Sequence, residues 1–233
     1  MSVEIEVVED PARACSVMLV GAAAGGGDIV LAGGSTPKAA YEKLFEAVRD
    51  VGIDMTATTL WFGDERCVPP HDQRSNFLMV KQTLLDPLGE ANQPKVYRIP
   101  GELGPTAAAD AYERDLRAAG PPEFDMLLLG MGPDGHTASL FPDQPSLSER
   151  SRLVVGVEQP GLEPFVPRVS LTLPALASAR RVVFLIAGAS KADAVAAAFG
   201  RAAEPNPRVP TSMLVPLTDE ITVLLDRAAA EKL

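Results

Sequence analysis

Short apolar runs alternate with longer amphipathic stretches along most of the chain. Residues 28–32 (DIVLA), 58–62 (TTLWF), 124–129 (FDMLLL) and 181–187 (RVVFLIA) have strand length and are bounded by Gly, Pro or polar residues. Such runs are typical of strands that are buried on both faces of a parallel sheet. Further strands are predicted at residues 3–8, 96–99, 153–157, 166–173 and 221–225.

Helices are predicted between these strands. Residues 11–24 follow Asp10, a favourable N-cap, and begin with proline, which suits the first helical position. The other predicted helices are residues 38–49, 75–85, 105–119 and 190–199. Strands that alternate with helices indicate βαβ units, so we expect an α/β fold with a mostly parallel sheet flanked by helices. Because the composition does not shift along the chain and no repeat is visible, residues 1–233 are expected to form a single domain.

Composition and charge narrow the class of protein. A hydrophobic content of 46% with 22% charged residues is ordinary for a globular chain. The net charge of −10 disfavours nucleic acid or a membrane surface as a partner, since both require a basic footprint. The N-terminus lacks the basic and apolar regions of a signal peptide, and Cys15 and Cys67 are too few for a disulfide framework. We therefore expect a cytoplasmic protein. We also expect a monomer, although nothing in the sequence determines the oligomeric state.

One histidine follows a glycine-rich turn at the end of a predicted strand. Residues 127–142 read LLLGMGPDGHTASLFP and place His136 directly after Asp134 and Gly135. Ligands bind at the carboxyl ends of strands in open α/β sheets, and a nearby carboxylate can fix the tautomer of an imidazole and raise its basicity. His136 is thus a candidate general base with Asp134 as its support. The alternatives are a structural histidine and a plain Asp-Gly turn.

A second glycine-rich turn resembles a phosphate cradle. Gly33 and Gly34 allow backbone N–H groups to point towards a ligand, and Ser35 and Thr36 add hydroxyl donors at a helix N-terminus. The glycine spacing matches neither the Walker nor the dinucleotide-binding fingerprint. A Ser/Thr-capped helix start without ligand is the alternative.

The third turn, GDER, follows the strand at residues 58–62 and carries charged side chains. Asp64 lies nearest the strand end and is the candidate buried carboxylate. Arg66 and Arg74 offer forked donors that suit phosphate or carboxylate, or alternatively are solvated and paired with neighbouring acidic residues. His71 lies among prolines, and we interpret it as exposed and without a role.

Two further cations accompany the later strands. Lys191 opens a helix after the strand at residues 181–187, where the helix dipole disfavours a cation unless an anion is bound. Arg168 lies within an alternating strand and either faces the site or points outward. Together these three turns and the turn that carries Lys191 indicate a phosphorylated small-molecule substrate and proton-transfer chemistry, with no metal site.

The same stretches resemble the 6-phosphogluconolactonase family. They are LAGGSTPKAAYEKL, WFGDERCVPPHDQRSNF, DMLLLGMGPDGHTASLFP, PRVSLTLPAL and VFLIAGASKADAV, in the family's order and at similar spacing, and the likeness covers nearly the whole chain from about Ile29. The resemblance implies a Rossmann-like fold of the type shared with glucosamine-6-phosphate deaminase. The deaminases usually have Asp-Glu-Tyr in the third turn and Ile-Ala-Phe-Asn-Glu-Pro after the histidine. Asp64-Glu65-Arg66 and residues 137–142 (TASLFP) favour the lactonase instead.

The resemblance also implies an activity and residue roles. The activity is hydrolysis of 6-phospho-D-glucono-1,5-lactone in the oxidative branch of the pentose phosphate pathway, without metal or organic cofactor. His136 is the implied general base, and Asp64 and Asp134 support it or contact sugar hydroxyls. The implied phosphate and substrate pocket includes Gly34, Ser35, Arg74, Arg168 and Lys191. A deaminase of the same fold and a non-catalytic sugar-phosphate sensor are the competing hypotheses.

Overall fold

A seven-stranded sheet, parallel throughout, forms the centre of the molecule. The computed structural model describes residues 2–120 and 123–233. In chain order the strands are β1 (Ser2–Val7), β2 (Asp28–Leu31), β3 (Thr59–Phe62), β4 (Asp64–Arg66), β5 (Lys95–Val96), β6 (Met126–Leu129), β7 (Val154–Val157), β8 (Arg168–Leu171), β9 (Val182–Ile186) and β10 (Glu220–Leu225). The prediction of a mostly parallel sheet flanked by helices is confirmed.

The strand order creates a natural ligand site at the middle of this sheet. The order is β1-β10-β9-β6-β2-β3-β5, so successive strands add in one direction from β2 and in the other direction from β6. Where the direction reverses, the loops that leave two neighbouring strands diverge and open a crevice at their carboxyl ends. The glycine-rich turns after β2 and β6 lie on either side of that crevice.

A second, three-stranded antiparallel sheet has the order β4-β8-β7. Its strand β4 was expected to be a turn, because Asp64, Glu65 and Arg66 are polar. The structure pairs this segment with β8, with Asp64 opposite Ser170 and Arg66 opposite Arg168. The polar strand is stable here because its buried side chains find hydrogen-bond partners, which removes the cost of burying them.

The helices are α1 (Pro11–Ala24), α2 (Ser35–Val51), α3 (Asn76–Val80), α4 (Asp86–Leu88), α5 (Pro105–Ala119), α6 (Leu173–Leu176), α7 (Ala192–Phe199) and α8 (Pro210–Leu214). Asp10 caps α1 by accepting a hydrogen bond from the Arg13 N–H at 2.9 Å, as predicted. Helix α2 begins three residues earlier than predicted, so the second glycine-rich turn leads directly into its first turn. Within the described ranges no helix has the length and apolar character needed to cross a membrane.

Two elements differ from their predicted bounds for local reasons. The strand predicted at residues 96–99 is shortened to β5, because Pro100 and a 3-10 turn at Gly101–Leu103 lead the chain away from the sheet. The helix predicted at residues 75–85 continues through a π-helical turn, Lys81–Leu85, into α4.

Candidate active site

A cavity of 310 Å³ lies at the carboxyl ends of the central strands. It is open to solvent on one side and is lined by the turns that follow β2, β3, β6 and β9. Nine of the residues predicted from the sequence line it: Gly33, Gly34, Ser35, Thr36, Asp64, Arg66, His136, Arg168 and Lys191. The fold thus brings together side chains that are up to about 160 positions apart in the chain, since parallel strands end at the same edge.

His136 and Asp134 form a hydrogen-bonded pair beside the cavity. The distance from His136 Nδ1 to Asp134 Oδ1 is 2.6 Å, and Asp134 Oδ1 also accepts a hydrogen bond from the His136 backbone N–H at 3.2 Å. Partial burial acts to raise the pKa of Asp134, but the hydrogen bond and charge of His136 outweigh it and hold that pKa below the usual value. An ionised carboxylate only accepts hydrogen bonds, so Nδ1 is the donor in this pair and Nε2 is the ring nitrogen that remains to act as a base.

The turn that carries this pair is tightly closed. The Gly132 N–H donates to the His136 carbonyl at 2.9 Å, and the Thr137 hydroxyl donates to the Gly130 carbonyl at the same distance. A Cβ atom at position 132 would lie 2.1 Å from His136 Nδ1 and 2.5 Å from Asp134 Oδ1. Glycine at this position is therefore a requirement of the pair itself.

The turn after β2 approaches another side chain just as closely. A Cβ at Gly33 would lie 2.0 Å from Asn76 Oδ1, and Gly34 has φ +110°, a backbone conformation that favours glycine. No side chain at Gly34 caps the first N–H groups of the 17-residue helix α2, and Ser35 and Thr36 of its first turn line the cavity. The partial positive charge of uncapped N–H groups at a helix N-terminus suits an anion such as phosphate.

Asp64 is held in a fixed orientation by two residues from other parts of the chain. The Ser139 hydroxyl donates to Asp64 Oδ2 at 2.6 Å, and Asn76 Nδ2 donates to Oδ1 at 3.1 Å and to the Asp64 carbonyl at 3.0 Å. All three side chains are buried, with Asp64 only 6% exposed. No role is predicted for Asn76 or Ser139 from the sequence, although both lie within the motifs quoted above.

Glu65 organises the same region from the opposite face of β4. Its carboxylate accepts hydrogen bonds from the Ser75 hydroxyl at 2.9 Å and from the backbone N–H groups of Asn76 and Phe77 at 2.7 and 2.8 Å. Burial raises the pKa of Glu65 despite these donors. Glu65 therefore fixes the start of α3, which in turn positions the Asn76 amide against Asp64.

Arg168 and Lys191 supply positive charge to the cavity. Arg168 is 3% exposed, so the alternative of an outward-facing arginine is wrong. Burial lowers the pKa of Arg168, with the charge of Asp64 opposing that effect, and burial likewise lowers the pKa of Lys191 against the opposing charge of Asp134. Within the described residues the buried Nε atoms of Arg66 and Arg168 have no hydrogen-bond partner. An anionic ligand would satisfy such donors.

Arg74 lies outside the cavity, in contrast to its predicted position. Its guanidinium donates twice to Asp72, at 2.9 and 2.7 Å, and its side chain is 47% exposed. Only its carbonyl reaches the site region, where it accepts a hydrogen bond from Arg66 Nη1 at 2.7 Å. The ion pair with a carboxylate two residues away was the alternative for this arginine. His71 is exposed, as predicted.

Over residues 2–120 and 123–233, no group of three or more His, Cys, Asp or Glu side chains is arranged to hold a metal ion. The charged and titratable groups in and beside the cavity are the His136–Asp134 pair, the carboxylates of Asp64 and Glu163, and three cations. This set can bind an anionic ligand, accept a proton and stabilise negative charge.

The chain resembles proteins of one family along most of its length. Residues 7–223 match the family described as glucosamine-6-phosphate isomerases/6-phosphogluconolactonase. A 6-phosphogluconolactonase of Streptomyces coelicolor is 40% identical over 195 residues, which covers 78% of this chain and 74% of the relative. The structure of a 6-phosphogluconolactonase from Trypanosoma cruzi has a TM-score of 0.82 and 30% identity, and the likeness covers 100% of this chain and 97% of that one.

A monomeric glucosamine-6-phosphate deaminase has the same fold, with a TM-score of 0.85 and 20% identity over the full length of both chains. The Rossmann-like fold shared by lactonases and deaminases is thus the fold found here. The chain belongs to the glucosamine-6-phosphate isomerase/6-phosphogluconolactonase family.

Proposed function

We propose that this protein hydrolyses 6-phospho-D-glucono-1,5-lactone to 6-phospho-D-gluconate, the lactonase step of the oxidative pentose phosphate pathway. The observation that carries the proposal is the His136–Asp134 pair, with its 2.6 Å hydrogen bond, at the edge of a cavity rich in cations. A lactone is an activated ester, so a base that deprotonates water suffices and no covalent nucleophile is required. The names of the lactonase relatives support the same substrate.

The substrate phosphate is assigned to the N-terminus of α2 and the nearby cations. Ser35 and Thr36 offer N–H and hydroxyl donors there, and Lys191 adds a charge that burial makes less well solvated. Binding the phosphate away from the reacting carbon orients the ring for attack. Asp64, whose carboxylate is fixed by Ser139 and Asn76, is the proposed acceptor for hydrogen bonds from sugar hydroxyls.

In the proposed reaction His136 Nε2 takes a proton from water as the water oxygen attacks the lactone carbonyl carbon. Asp134 keeps the proton on Nδ1 and stabilises the imidazolium that forms. The tetrahedral intermediate then breaks the bond between the carbonyl carbon and the ring oxygen. The ring oxygen leaves as a hydroxyl after taking the proton from His136, and the carboxylic acid loses its own proton to solvent. This cycle returns His136 to its starting state.

Two alternatives are separated from this proposal by their products. A deaminase of the same fold would release ammonia from glucosamine 6-phosphate, and a sugar-phosphate sensor would bind its sugar phosphate without turnover. The test is to incubate the protein with freshly generated lactone and, separately, with glucosamine 6-phosphate. We expect 6-phosphogluconate from the first and no ammonia from the second. Ammonia release without lactone hydrolysis supports the deaminase, and binding without either product supports the sensor.

Replacing Lys191 with alanine should raise KM much more than it lowers kcat. A charge-assisted hydrogen bond to the phosphate contributes about 1.5–3 kcal/mol, so KM should rise by roughly 10- to 100-fold if it is lost. Steady-state kinetics on the lactone measure this change. Arg74→Ala is the matched control, since its guanidinium is paired with Asp72 outside the cavity and its loss should change KM by less than about twofold. An equal rise in KM for both variants contradicts the assignment.

A further inference from the structure

Hydrolysis of the lactone creates a problem of product release in this cavity. The product carries one more negative charge than the substrate, because the uncharged lactone group becomes a carboxylate. A cavity lined by Arg66, Arg168 and Lys191 attracts that extra charge. Without an opposing charge, the product would bind more tightly than the substrate and would inhibit turnover. A carboxylate in the lining that no cation neutralises would oppose this effect.

Glu163 is such a carboxylate. It lies in the connection between β7 and β8, is exposed, and lines the cavity with the preceding Leu162. None of the ion pairs formed by residues 2–120 and 123–233 includes it. Asp64, the other carboxylate in the lining, also forms no ion pair among the described residues, but it is buried and accepts hydrogen bonds from Ser139 and Asn76, whereas Glu163 is exposed.

The backbone around Glu163 is held on the His136 side of the cavity. Arg168 Nη2 donates to the carbonyls on both sides of Glu163, to Leu162 at 3.1 Å and to Pro164 at 3.0 Å. The Arg168 guanidinium in turn lies 5.7 Å from the centre of the Phe141 ring. The His136 ring also lies against the Phe141 ring, at a centroid distance of 4.6 Å.

Gly161, two residues before Glu163, also packs directly on Phe141. A Cβ atom at Gly161 would lie 3.2 Å from the ring, so the backbone approaches it closely. Phe141 thus joins the proposed base and the Glu163 segment through one buried ring. The hydrogen bonds from Arg168 and this contact hold the Glu163 backbone on the same side of the cavity as His136.

We propose that Glu163 discriminates against the reaction product. Its negative charge repels the carboxylate that hydrolysis creates, while the uncharged lactone group of the substrate is tolerated. The phosphate is common to substrate and product, so its interaction with Glu163 cancels in the ratio of the two affinities. The inference rests on the proposed function for the identity of substrate and product, and it assigns to Glu163 a role in specificity and release.

The test compares the affinity for 6-phosphogluconate, measured by isothermal titration, with KM for the lactone in four forms of the protein: wild type, Glu163→Gln, Glu163→Lys and Glu158→Gln. A single exposed charge changes affinity by about fivefold. The quantity compared is the ratio KM/Kd, where KM is for the lactone and Kd is for 6-phosphogluconate. We expect this ratio to rise by about fivefold in E163Q, which removes one negative charge, and by about 25-fold in E163K, which also adds a positive charge. Glu158 is exposed on the same connection but does not line the cavity, so E158Q should match wild type.

The salt dependence separates charge from shape. At about 1 M salt the Debye length falls to about 3 Å, so the difference between wild type and E163Q should shrink. The proposal is overturned if product affinity is unchanged or unmeasurable across the set, if KM changes in parallel with it, if E158Q behaves as E163Q does, or if the difference persists at high salt. Failure of the proposed function would be recognised by a different result, because the wild-type protein would then not hydrolyse the lactone at all.

Discussion

Replacing His136 with asparagine should lower kcat for lactone hydrolysis by about 10²–10⁴-fold, the usual contribution of a general base. Asparagine keeps a side-chain N–H that can donate to Asp134 but offers no basic nitrogen. The loss should fall on kcat, because the phosphate is bound by other residues and KM depends mainly on them. The spontaneous hydrolysis rate of the lactone must be subtracted, since it sets the lowest rate that can be measured.

The chain provides a matched control for this substitution. His71 is the other of its two histidines and is exposed in a loop. His71→Asn should therefore retain wild-type kcat and KM. Circular dichroism and thermal unfolding of both variants report whether each remains folded. A folded His136→Asn variant with near-wild-type kcat would remove His136 from the mechanism.

Replacing Gly132 with alanine should reduce kcat by about 10²-fold, the effect expected from a displacement of a catalytic group by about 1 Å. The added Cβ cannot fit 2.1 Å from His136 Nδ1 and 2.5 Å from Asp134 Oδ1, so the His136–Asp134 hydrogen bond must lengthen or break. The nearby Thr137 hydroxyl bond to Gly130 limits how far the turn can adjust. Steady-state kinetics measure the loss.

Gly21→Ala serves as the control for Gly132→Ala, because nothing lies within 4 Å of a Cβ at that position in α1. Both variants add one methyl group, but only one places it against the His136–Asp134 pair. We expect Gly21→Ala to have wild-type activity. Full activity in a folded Gly132→Ala variant would show that the pair tolerates displacement, which would weaken the role given to Asp134.

The turns that line the site could be predicted from the sequence, because the end of a strand is visible in its local residue pattern. The apolar runs of β2, β3, β6 and β9 each end in glycine or a small polar turn. This change from apolar to turn-forming residues identifies a strand end without any knowledge of distant contacts. Since parallel strands share one edge, the four turns were expected to converge. The structure places nine of the predicted residues in the lining of one cavity.

The supporting residues could not be found in the same way. Ser139 donates to Asp64 across 75 positions of sequence, and Asn76 does so across 12. No sequence periodicity links Asp64 to such partners. The burial of β4 is also hard to predict, because its sequence DER has the composition of a turn. Only a weaker indication of these supporting residues was available, namely that they are polar residues within the predicted motifs. A polar side chain that becomes buried there needs a hydrogen-bond partner.

The arginines show why a residue type alone does not fix a role. Arg74 and Arg168 were both assigned to the anion pocket, yet Arg74 pairs with Asp72 and Arg168 lies buried in the cavity wall. The difference arises from backbone geometry. Position 168 is on a strand of the small sheet and faces inward, whereas position 74 lies in a loop where a carboxylate two residues away is the nearest partner.

The decisive measurement is the initial rate of acid production from freshly generated 6-phosphogluconolactone, with the protein dialysed against a chelator beforehand. We expect a rate above the spontaneous background that is proportional to protein concentration, yields 6-phosphogluconate and is unchanged by the chelator, since His136 and water are proposed to carry the reaction. If the folded protein gives a rate no greater than the background, this cavity does not hydrolyse the phosphorylated lactone.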